Sequence, residues 1–309
     1  MAPPSRDSGI LTVATVRENG TILFNEREQI FTLPETKARE DVSRRLSESL
    51  ERNLPVKALL DPRRGVVTKI DPLSGRELEE FRRNRTLLDR PEKALRADVA
   101  NIDPTRFDVV EVGLKLPVFK LCTKIIPSYK KAKEIFDYCA QQSCHLPGPT
   151  VETPCIPFQY VIDGCYARAH KMRKIITEKY GYCCEKVFSF ANADNDELAV
   201  QANKWGGCCV TWWYHVAPLV RVRIKILSFS FTLAMVIDPG MFDKPVLLST
   251  WLTAQESALC SANAHVSMYT IQPGSAYTPA NYAGTMFSTD PSYTATDQTL
   301  INYQNLTTC

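Results

Sequence analysis

A chain of 309 residues, 44% hydrophobic and 23% charged, has the composition of a globular protein with room for one large domain or two ordinary ones. Its formal net charge of +3 is too small to imply a nucleic-acid or membrane partner. The longest apolar run, residues 226–237, is too short to span a bilayer, and no secretory leader pattern opens the sequence.

Residues 36–96 are dense in charges of both signs and poor in aromatics. Val42, Leu46 and Leu50 repeat at helical spacing, and Pro55 limits that helix. Residues 56–60 and 65–70 read as two strands around Asp61-Pro62-Arg63-Arg64. Ser74 with Glu77 forms a capping box for a short helix, and Leu73 with Leu78 could staple its start. Residues 82–106, punctuated by Pro91 and Pro104, read as a partly solvated linker. The first 120 residues thus read as a small α+β unit with a linker.

A second unit begins near Leu121 and runs to Cys309. Residues 129–142 form a plausible helix with Ile135, Phe136 and Cys139 inward. A second helix starts at Cys165 and runs to about Tyr180, with Gly181 as its stop. Cys165, Ala169, Met172 and Ile176 share one face of it. Strands are expected at 184–190, 208–220 and 224–237. Irregular loops and short helices are expected after Pro245.

The eleven cysteines all lie at Cys122 or later. They include no C-x-x-C pair and no zinc-ligand spacing, so disulfides and an oxidising compartment are the better reading. Cys144 and Cys155 flank a Pro-rich loop and form the expected local bridge. Ten cysteines could pair and leave one nucleophile free.

Three positions carry chemistry. Cys165 opens a helix behind Gly164. His215 stands in the aromatic stretch Trp212-Trp213-Tyr214-His215, and Asp238 ends the next apolar run. A helix start and a nearby imidazole can bring a thiol pKa from about 8.5 to roughly 3.5–7.5. A carboxylate would hold the imidazole in the useful tautomer. Each residue also has a structural explanation: a core cysteine, a packed histidine, an aspartate in a turn. The ordered set favours thiol acyl transfer. No phosphate loop, H-E-x-x-H or G-x-S-x-G occurs. Asn84-Arg85-Thr86 and Asn305-Leu306-Thr307 fit glycosylation sequons, which are common by chance.

At these residues the sequence resembles the secreted bacterial protein-glutaminases, the protein-glutamine deamidases. The resemblance rests on Asp163-Gly164-Cys165-Tyr166-Ala167-Arg168-Ala169-His170-Lys171-Met172-Arg173. It continues through Gly181-Tyr182, Cys184-Glu185-Lys186, Cys208-Cys209-Val210, Trp212, Tyr214-His215-Val216-Ala217 and Ile237-Asp238-Pro239 with Phe242. It implies a papain/transglutaminase-like α+β catalytic domain over 121–309, with the cysteine helix packed on an antiparallel sheet. It also implies that residues 1–120 are an inhibitory propeptide with linker, with cleavage near residues 120–124. Cys122, Cys139 and Cys183 depart from the family pattern.

The implied activity is hydrolysis of glutamine side chains to glutamate and ammonia by Cys165, His215 and Asp238. The Cys165 N–H, Gly164 and Gln159 are the expected oxyanion neighbours, and Trp212, Trp213 and Tyr214 the expected substrate contacts. No metal or organic cofactor is expected. The expected partners are glutamine-bearing proteins or peptides and the chain's own propeptide, in a secreted or periplasmic monomer. A papain-like peptidase or transglutaminase would use the same triad, as would a deamidating toxin. A binding module would instead lock Cys165 in a disulfide.

Overall fold

The computed structural model describes residues 7–88, 124–146, 152–226 and 229–309. Strands β1 (Asp7–Leu11), β2 (Val13–Val16), β3 (Thr21–Phe24), β4 (Phe31–Thr32), β5 (Val56–Asp61) and β6 (Val66–Pro72) form a sheet of order β1-β5-β6-β4-β3-β2. Helix α1 (Arg39–Arg52) lies on it and adds Val42 and Leu46 to a core with Ile22, Phe24, Phe31 and Ile70. Leu50, expected on the same stripe, is exposed. Ser49 is buried instead, and its hydroxyl donates to the Leu54 carbonyl at 2.6 Å as the helix ends. Helix α2 (Gly75–Asn84) begins on the capping box between Ser74 and Glu77.

The expected solvated linker does not begin at residue 82. Residues 82–84 finish α2. Strand β7 (Thr86–Leu87) then joins a three-stranded sheet with β15 (Ala276–Pro279) and β16 (Phe287–Thr289), its backbone groups satisfied by the distant second unit. Residues 89–106 and 120–123, which include most of the expected linker and cleavage region, lie outside the described residues.

The second unit is organised around a five-stranded antiparallel sheet. Its strands are β8 (Glu185–Phe190), β11 (Tyr214–Ile226), β12 (Phe229–Val236), β13 (Val246–Leu247) and β14 (Met268–Gln272), in the order β13-β12-β11-β8-β14. It is apolar on both faces. Phe188, Phe190, Val216 and Val220 face α3 (Tyr129–Gln141) and α4 (Cys165–Lys174), while Val187, Ala217, Leu219 and Val236 pack with Trp212 and Trp251. Trp251 lies on α5 (Leu248–Thr253), and α6 (Thr294–Tyr303) packs on α4. The region after Pro245, expected to be loops and helices, therefore supplies two strands of this sheet.

The single strand expected at 208–220 is two. β10 (Cys209–Trp212) pairs with β9 (Leu198–Gln201), whereas β11 starts again at Tyr214 in the large sheet. Trp213 sits at the break because its backbone is engaged elsewhere. Its N–H donates to the Glu28 carbonyl at 3.1 Å and its carbonyl accepts from Ala191 at 2.8 Å.

Disulfides join Cys144 to Cys155, Cys208 to Cys309 and Cys209 to Cys260, and Cys183 is also disulfide-bonded. The bridge from Cys208 to Cys309 closes a separation of 101 residues. Chain entropy for a loop that long contributes on the order of 4–5 kcal/mol. Parity pointed to one free cysteine, but the described residues hold three, Cys139, Cys165 and Cys184, all buried. No described helix is long and apolar enough to cross a membrane.

Candidate active site

Cys165 is the first residue of α4, and the break before it is made by Gly164 at φ 87°. No side chain caps this helix, so its first N–H groups are free to bind an anion. A side chain at Gly164 would be strained by that φ, and its Cβ would lie 2.8 Å from the Tyr303 ring. Gly164→Ala is expected to destabilise the protein by about 1–3 kcal/mol, measured as a lower midpoint in thermal or urea unfolding.

His215, the second residue of β11, has each ring nitrogen near a carboxylate. Nε2 is 3.0 Å from Asp238 Oδ2, and Nδ1 is 3.2 Å from Glu28 Oε2. Two flanking carboxylates favour the doubly protonated ring, the imidazolium. Burial works against that charge, but hydrogen bonds donated to Asp238 and Glu28 raise the His215 pKa above the ordinary value. Asp238 also accepts from the Trp251 indole at 2.9 Å. Burial opposes its charge, yet these two donors hold its pKa below the ordinary value. The His215 ring stacks on Trp212 with centroids 4.5 Å apart and on Trp251 at 5.4 Å, which fixes its plane.

Glu28 comes from the N-terminal unit and is fully buried here. Its Oε1 accepts the Cys165 N–H at 3.0 Å and lies 3.3 Å from Arg168 Nη2, while Oε2 faces His215. Burial, reinforced by the Glu28 carboxylate, pushes the Cys165 thiol well above its ordinary pKa, with Arg168 opposing. Glu28 thus lies beside both the His215 ring and the Cys165 thiol, and its charge opposes ionisation of the sulfur.

The ligand atoms of Glu28, Cys165 and His215 lie within 4.8 Å of one another, close enough in principle to share a metal ion. The chemistry around them suits an anion better. An N–H and a guanidinium already point at Glu28 Oε1.

Several groups not singled out from the sequence hold this arrangement. Asp163 is buried. Its Oδ1 accepts the Glu28 N–H at 3.1 Å, and its Oδ2 accepts the Tyr303 hydroxyl at 2.7 Å. Burial pushes its pKa up to about 6 against the pull of Arg27, whose Nε lies 3.4 Å away. Arg168 donates to the Tyr160 and Asp163 carbonyls at 2.6 and 2.7 Å, which aims its other nitrogen at Glu28. Arg168 lies three residues after Cys165, a helical neighbour position the sequence does display.

Gln159, expected as an oxyanion neighbour, is engaged with the C-terminal segment in this structure. Gln159 donates its amide to the Gln304 carbonyl at 2.9 Å, and its own carbonyl accepts from Thr308, so it ties down the C-terminal segment. Arg168 is the side chain that reaches Glu28 Oε1. Trp213 holds the N-terminal unit, donating its indole N–H to the Arg27 carbonyl at 2.7 Å, while Trp212 donates to the Val161 carbonyl. The Tyr214 hydroxyl is buried on the Cys165 side of the sheet. His170, five residues past Cys165, points away toward Lys186 and the Asp290 carbonyl.

A thiol at a helix start and an imidazole flanked by two carboxylates are the parts of an acyl-transfer centre of the cysteine-hydrolase class. Residues 132–255 match the family described as glutaminase. A solved structure of pro-protein-glutaminase is similar over 98% of this chain and 95% of its own, with 28% identity and a TM-score of 0.70. A mature protein-glutaminase is 34% identical, matching 60% of this chain and 92% of its own with a TM-score of 0.52. The protein-glutaminase from Chryseobacterium proteolyticum is 35% identical over 60% of this chain and 91% of its own, with a TM-score of 0.51. No curated protein matches the chain in sequence. The chain belongs to the protein-glutaminase family.

Proposed function

We propose that the chain is a latent protein-glutamine deamidase in which residues 1–120 are the inhibitory propeptide with its linker and residues 121–309 the catalytic domain. The Cys165 thiolate attacks the side-chain carboxamide carbon of a glutamine, and the oxygen takes negative charge beside the Cys165 N–H and Arg168. One such donor is worth about 3–4 kcal/mol to the transition state. His215, held by Asp238, gives its proton to the departing nitrogen, which leaves as ammonia. Water then attacks the thioester while His215 takes its proton. Glutamate leaves and the thiolate returns.

The observation that carries this reading is the Glu28 carboxylate. Its two oxygens stand where the oxygen and nitrogen of a reacting carboxamide would stand, one on the Cys165 N–H and one on His215. Glu28 is the product of the reaction seated in the site. A peptidase would need a main-chain carbonyl there, but the Glu28 carbonyl is held by Trp213 instead. The transglutaminase alternative shares the acyl step and differs only in the acceptor.

Several contacts beyond Glu28 support latency. Arg17 donates to the Asp196 carbonyl at 2.7 Å, and β7 completes the sheet of β15 and β16. The disulfides fit a secreted protein made in an oxidising compartment, working as a monomer. Ammonia release from a glutamine-rich protein should be low for the intact chain and rise at least tenfold after limited proteolysis, with no new peptide fragments from the substrate. Equal rates before and after trimming would reject latency. Substrate fragmentation would favour the peptidase, and ammonia release with amine incorporation in place of glutamate formation would favour the transglutaminase.

A further inference from the structure

We infer that Asp163 is a specificity-determining residue that makes this enzyme prefer glutamine preceded by a cationic residue, above all arginine. The inference rests on the deamidase reading, with Glu28 in the place of the reacting residue. After a turn at Asn25 and Glu26, the residues Arg27-Glu28-Gln29 cross the site. They are bridged antiparallel at Gln29 and Trp212, and their carbonyls are held by Trp213 at Arg27 and Glu28. The side chains from Glu26 to Gln29 divide sharply. Glu26 turns back to the Thr12 N–H at 2.7 Å, and Gln29 donates to the Pro62 carbonyl at 2.6 Å, both within the N-terminal unit. Arg27 and Glu28 alone among these four have side-chain partners in the catalytic part.

Arg27 places Nε 3.4 Å from Asp163 Oδ2 and donates from Nη1 to the Tyr166 hydroxyl at 3.0 Å. Asp163 meanwhile accepts the Glu28 main-chain N–H on its other oxygen. One carboxylate therefore reads two features of a bound peptide: the N–H of the residue to be converted and the charge of the side chain before it. A buried carboxylate is costly to leave without a cation, so a substrate that supplies one gains more here than at an exposed site. Tyr303 keeps Oδ2 in place through its hydroxyl, and Arg168 holds the Asp163 carbonyl, so the carboxylate is positioned before any peptide arrives. Arginine suits the position better than lysine. Its guanidinium can present one nitrogen to Asp163 and another to Tyr166 at once.

The test uses the chain activated by limited proteolysis and blocked tetrapeptides of sequence Gly-Arg-Gln-Gly, Gly-Lys-Gln-Gly, Gly-Ala-Gln-Gly and Gly-Glu-Gln-Gly, read by ammonia release. The value of kcat/KM for the arginine peptide should exceed that for the alanine peptide by about tenfold, with lysine between them and glutamate lowest. Asp163→Asn should bring the arginine-to-alanine ratio close to one, whatever the absolute rates. Tyr166→Phe, which leaves the carboxylate in place, should lower the ratio part of the way and guards against a folding defect in the first variant. Ammonia release at equal kcat/KM from the arginine and alanine peptides would overturn the subsite and leave the deamidase intact, as would a ratio that survives Asp163→Asn. No ammonia from any peptide or from a glutamine-rich protein would take down both.

Discussion

Cys165→Ala in the proteolytically activated protein should lower kcat/KM for glutamine deamidation by about 10⁴-fold or more, because nucleophile, acid/base and orienting group act as one unit. Cys139→Ala and Cys184→Ala should leave the rate within about twofold of the starting protein, since surface or core changes away from the site touch stability more than chemistry. The contrast is informative because all three thiols are free and buried. Burial also pushes Cys139 up and carries Cys184 to about 12. Cys165 differs in what surrounds it: a helix-start N–H, the Arg168 guanidinium and an imidazole already carrying a proton. Once Glu28 leaves, one negative charge is missing beside the His215 imidazolium, and ionising Cys165 restores it. Cys184 has the Lys186 ammonium and the Arg173 guanidinium among its neighbours but stands at no helix start, and Cys139 lies inside α3. Steady-state ammonia kinetics on the three variants measure the difference, and a Cys184 variant as dead as the Cys165 variant would show that the nucleophile is misassigned.

The proposed nucleophile and its helpers are legible in the sequence because their signals are local. Gly164 marks the helix start, His215 stands in an aromatic stretch at the start of β11, and Asp238 comes two residues after the end of β12. The capping box of α2 and the helix at 129–141 are legible for the same reason. Glu28 is not. It lies 187 residues from His215, in a charged stretch with nothing to distinguish it from Glu26 two residues earlier. Asp163 and Tyr303, 140 residues apart, meet only when α6 closes over α4. Arg168 was the one missed group with a readable cue, its helical spacing from Cys165. The misplaced elements share a cause as well. β7, β14 and the break at Trp213 are set by partners far along the chain, which no short-range periodicity reports.

Glu28→Gln in the intact chain should produce a protein that does not keep its glutamine. The carboxamide has the shape of the carboxylate it replaces, so its oxygen falls on the Cys165 N–H and its nitrogen toward His215, held by the same contacts to Asp163 and Trp213. Losing the carboxylate charge also removes one of the influences that keep the Cys165 thiol protonated, and the Cys165–His215 pair becomes free to ionise. The reacting groups are then fixed in one molecule, where effective concentrations reach about 10⁵ M or more. Attack expels ammonia. If water reaches the thioester the product is the original Glu28; if the docked unit excludes water, a Cys165–residue 28 thioester remains. Both lack the ammonia, and intact-mass measurement with peptide mapping tells them apart. Glu28→Gln combined with Cys165→Ala should retain its glutamine indefinitely. A single variant that also keeps its glutamine, while its trimmed form deamidates added protein, would mean that Glu28 blocks the cleft without lying where substrates react.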